Sequence, residues 1–234
     1  MFNPKKFTAG NVKPLPVYLL LDVSGSMSTD GKIEALNKAV VQMIETFADE
    51  EVVDAEIHVA VITFGGKVSL HQQPTKAANI QWVNMNATGS TPMGKALEMA
   101  KAMIEDKEVT SGMAYRPVMV LVSDGMPDSG WERPLHELVS SGRSSKCDRM
   151  AMAIGRDAHK DVLNKFIEGT GRKLFFAENA KQLHEFFNLV TMSTIVRTRS
   201  KDRNQVVVDP EIMMDSASVR PASQVQSDDE EGYW

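Results

Sequence analysis

The chain alternates short apolar runs with amphipathic segments from Val17 to Val196, and this alternation restricts its fold more than any other feature. The first apolar run is Val17–Leu21, and the segment Lys32–Ala48 that follows carries apolar side chains at alternating steps of 3 and 4 residues. That spacing places them on one face of a helix. Since strands that alternate with helices are typical of βαβ units, we predict an α/β fold. Its sheet is expected to be mostly parallel, with helices on both faces.

The same reasoning predicts the remaining elements. Further strands are expected at Glu56–Phe64, Lys67–Gln72, Pro117–Val122, Met150–Ile154 and Lys173–Ala177, and further helices at Thr91–Glu105, Pro134–Ser141, His159–Glu168 and Ala180–Val196. A turn at Gly65-Gly66 makes Lys67–Gln72 the return strand of a hairpin, and therefore the one antiparallel strand at the edge of the sheet. Thr91 is expected to cap its helix, with Pro92 as the first helical residue.

The pattern divides the chain into three parts. Residues 1–13 form an N-terminal extension, residues 14–196 one domain, and residues 197–234 a C-terminal tail. Because Ser, Gln and Asp dominate between residues 215 and 229, we expect the tail to be partly disordered. Within it, Val206–Val208 is a candidate for a short edge strand.

Composition excludes several classes of function. The chain has 26 Lys and Arg against 31 Asp and Glu, a net charge of −5, which disfavours nucleic acid as the main partner. Cys147 is the only cysteine, so neither an internal disulfide nor a thiolate zinc site is expected. Apolar runs such as Val118–Val122 are far shorter than the roughly 20 residues that cross a bilayer, and Met1–Gly10 resembles no secretory signal. We therefore expect a cytoplasmic protein without a membrane partner; the oligomeric state stays open.

Three loops carry the polar residues that point to a function. Asp22-Val23-Ser24-Gly25-Ser26 follows the first strand, Gly89-Ser90-Thr91 precedes a helix, and Ser123-Asp124-Gly125 follows a buried strand. In open parallel sheets, ligands bind at the carboxyl ends of the strands. We therefore expect these loops to meet at one edge of the sheet.

These loops supply oxygen ligands without sulfur or imidazole. The candidate metal ligands are two carboxylates and three hydroxyls: Asp22, Ser24, Ser26, Thr91 and Asp124. Such a set suits Mg²⁺, with Ca²⁺ or Mn²⁺ as alternatives, and does not suit zinc or copper. A cation held by only two charged ligands stays electrophilic, so an open position would attract a carboxylate from outside.

The Asp-x-Ser-x-Ser motif of Asp22, Ser24 and Ser26, together with Thr91 and Asp124, resembles the metal-ion-dependent adhesion site (MIDAS) of von Willebrand factor A-type (VWA) domains. The resemblance covers about residues 15–196. It implies a Rossmann-like, three-layer α/β/α fold. It also implies binding of a partner protein through the metal, with an Asp or Glu of the partner completing the coordination.

The amino-acid sequences of two segments, Leu15–Asp22 and Ser90–Gly94, are similar to those of the bacterial TerY/YegL-like branch of this family. That branch is associated with tellurium-resistance and stress systems. The resemblance thus implies a non-catalytic interaction module in such a system.

An alternative function follows from a second motif. Gly89 to Lys95 matches G-x-x-x-x-G-K, the core of a phosphate-binding loop, which would make the chain a nucleotide-binding enzyme using Lys95. Three features oppose this interpretation: Ala96 stands where the motif needs Ser or Thr, Asn84–Thr88 is too polar for a buried strand, and Pro92 removes a backbone N–H.

Other catalytic patterns are incomplete. Ser24 lacks the G-x-S-x-G frame of a hydrolase nucleophile because position 22 is Asp. Asp22 lacks the second acid of an Asp-x-Asp phosphoacceptor because position 24 is Ser. We therefore predict that the chain is not an enzyme. A scaffold with a vestigial site, indifferent to chelators, is the third hypothesis.

Overall fold

The structure is a computed structural model that describes residues 12–50, 55–155 and 158–204. Within these residues it has six strands: β1 Lys13–Asp22, β2 Ala55–Gly65, β3 Lys67–Lys76, β4 Val118–Ser123, β5 Asp148–Ile154 and β6 Phe175–Ala177. The same residues form five α-helices: α1 Lys32–Ala48, α2 Met93–Glu105, α3 Glu132–Ser140, α4 Lys160–Ile167 and α5 Ala180–Arg199. Among the described helices, none has the length and hydropathy that a membrane span requires.

The six strands form a single sheet in the order β3-β2-β1-β4-β5-β6. β1 runs parallel to β2 and β4, β5 runs parallel to β4 and β6, and only β3 is antiparallel to its neighbour. The predicted α/β fold, with a mostly parallel sheet and one antiparallel edge strand, is therefore confirmed. The strand order reverses between β1 and β4, which makes their carboxyl ends the topological switch point of the sheet.

Helices cover both faces of the sheet, and each face has its own apolar core. Val17, Leu19 and Leu21 of β1 pack on one side with residues of α1 and α5. Tyr18 and Leu20 point to the opposite side, where residues of α2, α3 and α4 pack. Because successive side chains of a strand point to opposite faces, a strand covered on both faces reads as a continuous apolar run, as β1 and β4 do.

β1 begins four residues before its expected start. The strand was expected from Val17, but it starts at Lys13 and includes Pro14 and Pro16. Pairing with β4 begins only at Val17, so both prolines lie where β1 has a single neighbouring strand, β2. Their missing N–H groups thus remove no bond of the sheet, and the Pro14 carbonyl on that free side accepts a hydrogen bond from the Tyr115 N–H (2.9 Å).

The start of α2 differs from the prediction. The helix begins at Met93 rather than Thr91, and Pro92 takes the N-cap position without a side-chain cap. The expected cap by Thr91 is therefore wrong. Its backbone is held instead by the loop after β4, and its hydroxyl is not used at the helix end.

The last helix extends beyond its expected end at Val196, to Arg199. Arg197 is completely buried, and its guanidinium donates hydrogen bonds to the carbonyls of Arg116 (2.6 Å) and Arg203 (3.0 Å). Asn204 accepts a hydrogen bond from the Arg116 N–H (2.8 Å). Residues 197–204 therefore pack against the domain. The rest of the predicted tail, including Val206–Val208, and nearly all of the predicted N-terminal extension lie outside the described residues.

Candidate metal site

The three polar loops converge at the carboxyl edge of the sheet, over the switch point between β1 and β4. Asp22 is the last residue of β1 and Ser123 the last residue of β4. These two strands are paired, with Leu21 opposite Val122, so Asp22 and Asp124 follow neighbouring strand ends. The predicted convergence of the first and third loops is therefore present.

Asp22 is fully buried and is oriented by two donors. One of its carboxylate oxygens, Oδ1, accepts a hydrogen bond from the Ser24 backbone N–H (2.8 Å), and Oδ2 accepts one from the Ser123 hydroxyl (2.6 Å). The backbone then turns into a short 3-10 helix, Gly25–Ser28, which places the Ser24 and Ser26 side chains next to each other.

A chain of oxygen atoms connects the first loop to the third. The Ser24 and Ser26 hydroxyl oxygens lie 3.1 Å apart, and the Ser26 hydroxyl donates to Oδ1 of Asp124 over 2.6 Å. Asp124 and Ser24 are almost completely buried, whereas Ser26 is exposed. Four of the five predicted ligands thus form one cluster with an open side.

Thr91 borders the same cluster. A methyl group placed on Gly125 would lie 3.6 Å from the Ser26 hydroxyl oxygen and 4.0 Å from that of Thr91, so both hydroxyls flank the same small gap. The Asp128 carboxylate positions the Thr91 backbone: it accepts hydrogen bonds from the Ser90 hydroxyl (2.9 Å) and the Thr91 N–H (3.1 Å). The Asp128 N–H in turn donates to the Thr91 carbonyl (2.9 Å).

Backbone contacts lock the loops together. The Gly25 N–H donates to the Gly89 carbonyl (2.9 Å), and the Thr88 N–H donates to the Val23 carbonyl (2.7 Å). Gly89 has a φ of +74°, and a Cβ there would clash with the Gly66 Cα. Only glycine permits both that backbone conformation and that close approach.

The negative charges of Asp22 and Asp124 have different partners. Oδ2 of Asp124 pairs with the Lys32 ammonium at 2.8 Å. Asp22 forms no ion pair with any residue in the described ranges and has only neutral donors. Burial therefore raises the pKa of Asp22, although the hydrogen bonds from Ser123 and Ser24 partly oppose this shift. A buried carboxylate without a cationic partner is electrostatically suited to a divalent ion.

The donor set agrees with a hard cation. Within residues 12–50, 55–155 and 158–204, no three His, Cys, Asp or Glu side chains form a group that could hold a metal. A cation at the cluster would therefore depend on the hydroxyls as well as on Asp22 and Asp124. Such oxygen ligands are those of Mg²⁺, Ca²⁺ and Mn²⁺.

Three residues of the site are not among the predicted ligands, although Ser123 lies in one of the three polar loops: Lys32, Ser123 and Asp128. Their contacts join residues 92, 101 and 37–38 positions apart, so local spacing does not reveal them. The sequence does contain one indication for Lys32. It is the first residue of α1, and because a cation is disfavoured at a helix N-terminus, a lysine there suggests an ion pair with another part of the fold.

The loop from Gly89 to Lys95 leads into α2 but lacks the strand that precedes a phosphate-binding loop. Residues 80–92 form neither helix nor strand, and Lys95 is exposed on α2. A Cβ on Gly94 would lie 3.1 Å from both the Gly130 carbonyl and the Trp131 Cα, so the start of α3 occupies the space beside the loop. Gly94 therefore permits close packing of α2 on the start of α3.

Together the fold and the loop cluster define a class: three-layer α/β domains with an oxygen-rich site at the switch point of the sheet. The chain belongs to the family of the von Willebrand factor type A domain, whose model matches residues 17–189. Domains of this family are generally interaction or adhesion modules and often depend on a metal.

Solved structures with the same fold share little sequence with this chain. A von Willebrand factor type A protein from Catenulispora acidiphila has a TM-score of 0.61 at 20% identity, covering 78% of this chain and 43% of that one. The pilus adhesin SpaC from Lactobacillus rhamnosus GG has a TM-score of 0.63 at 18% identity, covering 79% and 31%.

A third similar structure contains a metal. It is proximal thread matrix protein 1 from the mussel byssus with a zinc-occupied MIDAS motif, which has a TM-score of 0.55 at 16% identity and covers 80% of this chain and 48% of that one. The present chain thus spans less than half the length of each of these three proteins. No curated protein matches the chain.

Proposed function

We propose that the chain is a divalent-cation-dependent protein-binding module. Ser24 and Ser26 would ligate the cation directly, and Asp22, Thr91 and Asp124 would ligate it directly or through water. The bound cation would supply a Lewis-acidic position at the surface, and a partner protein would fill that position with the carboxylate of an Asp or Glu. The proposed function is binding, without catalysis.

One observation carries this proposal. Two buried carboxylates lie at neighbouring strand ends: Asp22 accepts from the Ser24 N–H, Asp124 accepts from the Ser26 hydroxyl, and the two serine hydroxyl oxygens lie 3.1 Å apart. Asp22 lacks a cationic partner among the described residues. Burying such a charge is unfavourable unless it is paired, and a divalent cation would pair it. The exposed Ser26 leaves one side of the cluster open to a partner.

Mg²⁺ is the cation we propose, because Mg²⁺ keeps several waters and needs few charged protein ligands. Ca²⁺ and Mn²⁺ suit the same oxygen atoms. The zinc in the mussel protein makes Zn²⁺ a competitor that belongs in every binding measurement.

The wider context is also a proposal. The amino-acid sequences of Leu15–Asp22 and Ser90–Gly94 support membership of the protein in the TerY/YegL-like branch, and hence a role in a bacterial stress or tellurium-resistance system. We further propose that the protein acts in the cytoplasm, consistent with the single buried Cys147.

The proposal is tested by capturing partners from source lysate on the tagged chain, with Mg²⁺ and with EDTA. We expect a partner that binds in Mg²⁺, leaves in EDTA and returns when Mg²⁺ is restored. Asp22→Ala should abolish this capture. Glu108→Ala, which removes an exposed carboxylate beyond the opposite end of α2, is the matched control and should capture normally.

Two results would refute the proposal. Capture that ignores EDTA would favour a scaffold with a vestigial site. Stabilisation by a nucleotide that disappears in Lys95→Ala would favour the phosphate-loop enzyme instead.

A further inference from the structure

Lys32 brings a positive charge into the metal site from its rim. Its ammonium lies 2.8 Å from Oδ2 of Asp124, and their side chains are 21% and 0% exposed. The same ammonium lies 3.5 Å from the Ser26 carbonyl oxygen. The Lys32 ammonium therefore contacts two proposed ligands: the side chain of Asp124 and the backbone carbonyl of Ser26.

The position of Lys32 in the fold is unfavourable for a cation. Lys32 is the first residue of α1, directly after Gly31, whose φ is +68°. The N-terminus of a helix carries partial positive charge, so a lysine there is repelled by the helix dipole. The ion pair with a buried carboxylate offsets this repulsion and holds the ammonium at the site.

Lys32 also has space to move. It lines a cleft of about 290 Å³ between α1 and α5, together with Gly155 and Asn179. The Lys32 side chain therefore borders open space beside Asp124.

The charges at the site then follow in a simple order. Asp22, Asp124 and Lys32 together carry one negative charge. A divalent cation changes the sum for these three side chains to one positive charge, and a single carboxylate from a partner brings it to zero. Without Lys32, the cation alone would neutralise Asp22 and Asp124, and a partner carboxylate would add an uncompensated negative charge to them.

We infer that Lys32 tunes the site for a carboxylate partner by weakening the binding of the cation and strengthening the binding of the carboxylate. The inference rests on the proposed function. It assigns to Lys32 a role in selectivity that is separate from ligation. Since both effects are electrostatic, they should follow the charge of residue 32 and not its shape.

The first measurement is Mn²⁺ affinity, by the enhancement of water-proton relaxation, in the full chain and its variants. Lys32→Met should bind Mn²⁺ about tenfold more tightly, because a repelling charge is removed. Lys32→Gln keeps a hydrogen-bond donor without the charge and should behave like Lys32→Met. Lys32→Arg keeps the charge and should stay close to the wild type. Lys38→Met removes an exposed lysine from the same helix and is the control.

The second measurement is acetate binding to each Mn²⁺-loaded protein, by the loss of relaxation as acetate displaces water. Acetate affinity should fall about fivefold in Lys32→Met and Lys32→Gln, in the direction opposite to the change in Mn²⁺ affinity. A purely structural role predicts that both affinities fall together. Thermal unfolding in EDTA identifies any variant that fails to fold, and then the other neutral variant decides.

The outcomes separate the two proposals. If Asp22→Ala binds Mn²⁺ as well as the wild type, the proposed function fails. If Mn²⁺ binding depends on Asp22 but both neutral variants keep wild-type affinities for Mn²⁺ and acetate, only the role of Lys32 is overturned. Affinities that fall together in both neutral variants overturn it as well.

Discussion

At the scale of single residues, the site depends on side chains that orient the proposed ligands. Asp128 is the clearest example, because its carboxylate binds the Ser90 hydroxyl and the Thr91 N–H and so fixes the loop that carries the Thr91 hydroxyl. Ser123 does the same for Asp22 from the end of β4.

Replacing Asp128 should therefore weaken cation binding without removing a ligand. We expect Asp128→Ala to reduce Mg²⁺ affinity about two- to tenfold, the effect of losing a hydrogen bond of about 0.5–1.5 kcal/mol. Asp128→Asn keeps an acceptor for the Thr91 N–H and should restore most of the affinity. Calorimetric titration of both variants checks this expectation, and equal losses in the two would contradict the positioning role.

Cys147 provides a test of the core at the same scale. Burial raises the pKa of its thiol to about 12 from the ordinary value of 9.0. Because only the thiolate reacts, labelling by a disulfide reagent at pH 8 should be at least about 100-fold slower in the folded protein than in urea. Cys147 is the only cysteine, so the signal is unambiguous. Rapid labelling of the folded chain would contradict the described packing.

The raised pKa of Cys147 also makes the free energy of unfolding depend on pH. The folded thiol ionises at a higher pH than the unfolded one, so this group does not reduce stability below pH 9.0. Between pH 9.0 and about 12 the unfolded state loses protons first, and the free energy of unfolding should fall by about 1.4 kcal/mol per pH unit from this group. Cys147→Ala should remove that part of the slope in urea titrations.

At the scale of elements, the last turn of α5 contacts the amino end of β5. Arg197 lies 3.7 Å from the Asp148 carboxylate at the start of β5, and Arg172 binds the same carboxylate at 2.8 Å. Burial lowers the pKa of Arg197, and the negative charge of Asp148 opposes this shift. The end of the helix is therefore held by a buried ionic cluster and not by apolar packing alone.

Removing this arginine should destabilise the whole domain. We expect Arg197→Ala to lower the free energy of unfolding by about 3 kcal/mol, because it leaves buried carbonyls and part of a buried charge unpaired. Lys201→Ala, an exposed position just beyond the helix, should change stability by less than about 0.5 kcal/mol. Urea denaturation measures both. Equal stabilities would show that α5 needs nothing beyond Val196.

At the scale of the whole molecule, the sequence predicts the architecture better than the ends of its elements. The continuous apolar run of β1 and the helical spacing of α1 identified a parallel sheet with two covered faces, because burial on both sides leaves a direct trace in residue type. Element ends depend on long-range contacts. α2 starts late because Asp128 holds Thr91, and α5 ends late because Arg116 and Asp148 hold Arg197.

The candidate metal site was also predicted only in part: the features that depend on sheet topology could be inferred, and those that depend on long-range contacts could not. The strand ends predicted that Asp22 and Asp124 would meet, since the topology of a parallel sheet brings carboxyl ends to one edge. The pairing of Lys32 with Asp124 was not predictable from spacing, because it depends on where a flexible side chain finds a buried charge. Ligand types can therefore be inferred from sequence, whereas the charge balance of the site needs coordinates.

Crystals of the protein soaked in Mn²⁺ give the sharpest test of whether five oxygen-bearing side chains hold one divalent cation. We predict a single anomalous peak among Asp22, Ser24, Ser26, Thr91 and Asp124, about 2.0–2.4 Å from the two serine hydroxyls. No peak in that cluster, or a peak only at another place on the protein, would contradict it.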